Sequence, residues 1–121
     1  EYRLLFAGDL VFGRRYPTLL ADGDPGTLVS ALHGLLAMNV DVIIPGHGSI
    51  CDMSEVEKAI AYWECLVRAC RSHLTAGWAA QGVVEKLYDH CHLPEIPFDG
   101  KRHSRNVRSV CEILSARNSR M

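Results

Sequence analysis

Several things are missing from this chain, and each absence narrows what it can be. Charge of one dominant sign is missing: 13 Lys and Arg stand against 14 Asp and Glu, a net charge of −1. No electrostatic argument therefore favours nucleic acid or a membrane surface as a partner. No apolar run approaches the length of a membrane span. Neither a signal peptide nor a repeat nor a low-complexity segment is visible. Cysteine pairs of the Cys-x-x-Cys kind are missing too. The five cysteines, Cys51, Cys65, Cys70, Cys91 and Cys111, are odd in number, which argues against a disulfide framework and against a zinc knuckle. Cys65, Cys70 and Cys111 fall on or beside apolar helix faces, where a free thiol behaves as a small core residue. A reducing, cytoplasmic setting is the expectation. A Gly-rich phosphate loop is absent as well: Gly8-Asp9-Leu10-Val11-Phe12-Gly13 is not one, which weakens an independent doubly wound binding domain.

What is present is ordinary in bulk and specific in detail. The 121 residues suffice for one small domain, with 48% hydrophobic and 22% charged residues as in globular proteins generally. Residues 2–7 and 40–45 read as buried strands. Each is an apolar run stopped by glycine or proline. Asp24-Pro25 reads as an N-cap with proline at the first helical position. The helix that follows carries a stripe of Leu28, Leu32, Leu35 and Leu36. Ser54-Glu55-Val56-Glu57 reads as a capping box opening a long helix with Val56, Ile60, Trp63, Leu66 and Cys70 inward, ended by Gly77. Residues 78–89 predict a second helix with Val83, Val84, Leu87 and Tyr88 inward. Residues 93–100 predict a loop, and about 104–117 a last helix burying Val107, Val110, Cys111 and Leu114, with a fraying polar tail. Two strands rarely make an independent sheet, so the helices are expected to cover a sheet completed by something else. The chain opens with Glu1 and is already core-like at Tyr2–Phe6, as if cut from a longer one.

Two short segments carry the candidate chemistry. Phe6-Ala7-Gly8-Asp9-Leu10-Val11-Phe12 and Ile44-Pro45-Gly46-His47-Gly48 each end an apolar run with one metal-competent side chain beside glycine. In an α/β layer structure ligands collect outside the carboxyl ends of strands, which would bring Asp9 and His47 together. Carboxylate and imidazole are common zinc ligands. A plainer alternative for Asp9 is capping a turn. For His47 it is a surface or satisfied histidine, although two flanking glycines leave its ring open.

These segments resemble the C-terminal half of metallo-β-lactamase-fold hydrolases. The match runs from Leu4 to Gly48, with a weaker His-x-x-Asn-Val element at His103, Asn106 and Val107. The family's His-x-His-x-Asp-His run is missing; His90-Cys91-His92 follows the Pro-Gly-His-Gly motif and reads as the polar end of a helix. The resemblance implies an α/β fold, half of an αββα sandwich, with residues 1–50 the C-terminal part of that domain and 51–121 its helical extension. It implies Asp9 as a bridging metal ligand and His47 as a ligand of the second site, with one or two zinc ions in the intact protein. The activity implied is metal-assisted hydrolysis of an ester, thioester, lactam or phosphoester. The partners implied are a small-molecule substrate and a missing N-terminal half or second chain. Arg14 and Arg15, just after the Asp9 segment, could meet a carboxylate or phosphate, or lie in a solvated turn. His33 and His73 read as surface and helix-end residues, and His103 as part of a solvated basic face. A non-catalytic remnant or interaction module is the alternative, and this segment alone is not expected to turn over substrate.

Overall fold

A computed structural model of the chain describes residues 3–19 and 23–119. Tyr2, part of the expected first strand, lies outside the described residues. The described fold is mixed α/β. It comprises β1 (Leu4–Gly13), α1 (Pro25–Leu36), β2 (Val42–Gly48), α2 (Met53–Thr75), α3 (Ala80–Lys86), a single 3-10 turn (Leu87–Asp89) and α4 (Gly100–Ser119). β1 and β2 pair in parallel as a two-stranded sheet, with α1 as the connection between them.

β1 runs well past the expected end at residue 7, and the reason lies in its pairing. Phe6 faces Ile44 and Gly8 faces Pro45, while Phe12 faces His47 and Gly13 faces Gly48. β1 therefore spends extra residues between fixed partners, first at Ala7 and again over Asp9–Val11. Such a bulge re-aims side chains, and Gly8 takes the positive φ of 57° that it requires at little steric cost. β2 begins at Val42 rather than residue 40 and continues to Gly48. Beyond it, Cys51 bridges back to Ile43 through Ile43 N–H to Cys51 O (2.8 Å) and Cys51 N–H to Ile43 O (3.0 Å). Pro45, His47 and Gly48 stay paired with β1 up to that point, so His47 is held at the end of the strand pair.

α1 starts where its sequence signals place it: the Asp24 carboxylate accepts from Gly26 N–H at 2.9 Å, with Pro25 next. α2 starts one residue before the expected capping box. Asp52, not Ser54, is the cap, accepting from both Ser54 N–H (2.9 Å) and Ser54 Oγ (2.6 Å). Asp and Ser are comparable caps; here the Ser54 hydroxyl donates to Asp52 instead of capping the helix itself. Its end follows the expected scheme: Gly77 has φ 95° and Trp78 N–H reaches His73 O at 3.0 Å. The expected helix over 78–89 is shorter, because the chain tightens into the 3-10 turn at Leu87. Tyr88 is exposed, not inward; its ring packs edge-on to Phe98 instead. α4 begins earlier than predicted, at Gly100, because Asp99 supplies a cap to Arg102 N–H (3.0 Å).

The core is built on α2, which packs against α1, α4 and β1. Trp63, Leu66, Val56 and Cys70 from α2 meet Val83 from α3 and Val107, Val110 and Cys111 from α4, all essentially without solvent contact. The sheet is less covered: Leu4 and Leu10 are exposed and Phe6 is 74% exposed. No described helix is long and apolar enough to cross a membrane.

Two expectations about the helical part need correction. Cys65 and Cys91 form a disulfide across 26 residues, so Cys65 is not a free core thiol and the odd count concealed one pair. Cys51, Cys70 and Cys111 are the free thiols. The basic residues around His103 suggested a solvated face, but His103 is fully buried. It shares the i, i+4, i+7, i+11 stripe of Val107, Val110 and Leu114.

Candidate metal centre

The bulge in β1 and the parallel register bring Asp9 beside His47. His47 Nε2–H donates to Asp9 Oδ1 at 3.1 Å, and both side chains are about half exposed. The Phe12 ring, on the residue paired with His47, lies stacked on the imidazole, 5.1 Å between centroids and 11° between planes. That stacking fixes the plane in which the ring nitrogens point. Glycine is needed at this junction because the backbones nearly touch. A Cβ on Gly46 would lie 2.8 Å from the Gly8 carbonyl and 3.2 Å from Asp9 Oδ1. A Cβ on Gly48 would lie 2.2 Å from Gly13 O. The Gly-x-Gly around His47 is thus a packing requirement of the strand pair, and it leaves the ring open on its outer side.

One carboxylate oxygen and one imidazole nitrogen converging from two strand ends suit a divalent ion of zinc type. Two donors about 2.0 Å from a tetrahedral ion would stand roughly 3.3 Å apart, close to the separation observed, so the pair fits as one edge of such a site. Among the described residues no group of three or more His, Cys, Asp or Glu is placed to hold a metal ion. Catalytic zinc sites use three protein ligands and an open position, so this pair needs at least one donor more.

Asp9 also borders a groove of about 370 Å³ lined by Leu10, Leu19, Leu28 and Ala31, together with Thr18 and Thr27. Asp24 closes its far side, where it caps α1 and pairs with Arg117; those contacts outweigh its desolvation and hold its carboxyl below the usual value. Arg14 and Arg15 do not line this groove. Arg14 is exposed in the turn after β1, at φ 56°. Arg15 lines a separate hollow with Tyr16, Asp99 and Arg102. The two hollows are joined by one contact, Arg102 Nη1–H to Thr18 Oγ1 at 2.7 Å.

Three other histidines take the plain roles expected of them. His33 is exposed, 4.0 Å from Glu64. His73 Nδ1–H donates to Ala69 O (2.8 Å) and its ring meets Trp78 edge-on. His92 Nε2–H donates to Tyr88 O at 2.8 Å.

The polar centre that the sequence concealed is the one around His103. His103 Nε2–H donates to Leu87 O (2.7 Å), which leaves Nδ1 to accept from Tyr62 O–H (2.9 Å). Asn106 donates one amide hydrogen to Tyr62 Oη (3.1 Å) and the other to Pro17 O (2.8 Å). The chain of donors is complete, and no described buried side-chain polar atom lacks a partner. Burial, above all, depresses the His103 pKa below 6.5, and His92 nearby adds to it. Burial likewise raises that of Tyr62. The network locks the loop after β1, through Pro17, to α2 and α4. Two sequence signals pointed to it: the His-x-x-Asn-Val element at His103, Asn106 and Val107, and the place of His103 on the apolar stripe of α4.

No family model matches this chain, and no curated protein matches it significantly.

Proposed function

We propose that residues 1–50 form the second half of a metallo-β-lactamase-type αββα domain, that residues 51–121 extend it, and that the intact domain is a zinc-dependent hydrolase. The observation that carries this is the 3.1 Å approach of Asp9 Oδ1 and His47 Nε2 at the end of a parallel strand pair. The resemblance assigned metal ligation to these two residues. Asp9 and His47 hold part of the metal centre, and the remaining ligands come from outside these 121 residues. When bound, zinc supplies Lewis acidity and a hydroxide nucleophile near neutral pH. The chain's own residues do the rest. Phe12 orients the His47 imidazole, Gly46 lets Asp9 sit against it, and the apolar groove beside Asp9 takes the non-reacting part of a small substrate. The bare outer face of β1, with Leu4 and Phe6 exposed, is where the rest of the sandwich packs. The same face favours the second reading, an interaction module that keeps the fold without its chemistry.

Native mass spectrometry of the protein from its natural source tests the first reading. It predicts a polypeptide or complex larger than 13.4 kDa, carrying one or two zinc ions. It also predicts that Asp9→Asn and His47→Ala each lose metal. A metal-free protein of 13.4 kDa would leave the module reading in its place.

A further inference from the structure

We propose that Cys65–Cys91 is a reversible thiol–disulfide site for a dithiol reductant, and that opening it loosens the loop after β1. It stands independently of the metal centre. Cys65 belongs to α2 and Cys91 to the segment between the 3-10 turn and α4, with 5.7 Å between their Cα atoms. Both are half-buried and line an open groove of about 350 Å³ with Lys58, Tyr62, His92 and Pro94. A thiolate must reach a sulfur to attack it, and this groove gives it a path. The three other cysteines offer no such site. Cys70 and Cys111 are fully buried, and the Cys51 thiol is pushed up to about 11, chiefly by burial. One accessible disulfide in a chain that otherwise keeps thiols fits a redox-responsive use rather than a disulfide scaffold.

The consequence of opening follows from what Cys91 holds. Cys91 sits at φ 60° and Glu95, in the same segment, at φ 64°, a backbone region that residues with a Cβ rarely occupy. Cys65 is the covalent tether keeping that segment on α2. From the same segment Leu93 N–H donates to Tyr16 Oη at 3.2 Å, and Phe98 packs edge-on to Tyr16. Tyr16 lies in the loop that follows β1 and carries Arg14 and Arg15. The tether therefore reaches that loop through one hydrogen bond and one ring contact.

The exchange balances as a two-electron step. The reductant's thiolate attacks one sulfur, the Cys65–Cys91 bond breaks, and the other cysteine leaves as a thiolate that takes a proton. The reductant's second thiol then displaces the mixed disulfide, yielding the second cysteine thiol and an oxidised reductant.

The test treats the whole chain first with oxidised glutathione, then with dithiothreitol under native conditions, followed by denaturation and alkylation. The expected labelling rises from the three free cysteines to all five. Backbone hydrogen exchange at residues 14–19 and 90–98 is expected to speed up by about tenfold. Cys91→Ser should show the fast pattern without reductant, and Cys51→Ser should not. Labelling fixed at three means a closed structural staple, and labelling of all five before reduction means no disulfide; either overturns the proposal. Reduction that leaves exchange at 14–19 unchanged overturns the coupling.

Discussion

The sheet and the helical part of this molecule solve opposite problems. The helical part is well covered: α2, α3 and α4 bury Trp63, Leu66, Val83, Val107 and Val110 almost completely, and no described buried side-chain polar atom lacks a partner. β1 and β2 do not close. They expose Leu4 and Phe6 on one face and place an ionisable pair, Asp9 and His47, half in solvent. A polar group buried and satisfied is a structural device. A converging carboxylate and imidazole left open at a strand end are available for a ligand. The difference separates His103, with its Tyr62 and Asn106 partners, from His47, although both are histidines beside a hydrogen-bonding neighbour.

The harshest way to break the comparison is in the helical core. Trp63→Ala should cost about 3–5 kcal/mol of stability, read by urea denaturation followed by circular dichroism, and should lower the midpoint of the whole chain. Next is Gly46→Ala. Its methyl would meet the Gly8 carbonyl at 2.8 Å and Asp9 Oδ1 at 3.2 Å, so the strands must part, at a cost of about 1–3 kcal/mol. The Asp9–His47 contact should be lost with it, visible as a changed His47 ring signal by NMR. Asn106→Ala leaves Pro17 O and Tyr62 Oη each short of one donor and should cost about 1–3 kcal/mol. The His103 network also sets a pH dependence. The folded-state pKa of His103 lies below 6.5, so unfolded chains bind the proton first as pH falls. Its contribution is present above pH 6.5 and is lost progressively as pH falls below that value. In His103→Gln that acid-side slope should shrink in urea titrations taken at several pH values. The smallest effect is expected from Phe6→Ser, within about 0.5 kcal/mol for this chain alone, since its side chain is already in solvent. A larger cost in a longer protein carrying this sequence would show that the face is covered there.

The sequence made the strand–helix–strand unit and the α1 cap legible, because Asp24-Pro25 and the leucine stripe are strong local signals. It also placed Asp9 and His47 together, because both follow apolar runs stopped by glycine. It could not show the bulge that carries β1 on to Gly13, since that depends on pairing with β2 rather than on β1 itself. The Cys65–Cys91 pair was equally hidden: it joins a helix to a loop across 26 residues, and nothing local marks either partner. Basic neighbours masked the burial of His103, though its place on the α4 stripe was there to be counted.

The central claim is that Asp9 and His47 are half of a metal centre. An anomalous difference map at the zinc absorption edge, from crystals of the protein as isolated from its natural source, tests it most directly. The account predicts a peak about 2.0–2.2 Å from both an Asp9 carboxylate oxygen and His47 Nε2. A map with Asp9 and His47 still hydrogen-bonded to each other, and any zinc bound elsewhere, would contradict it.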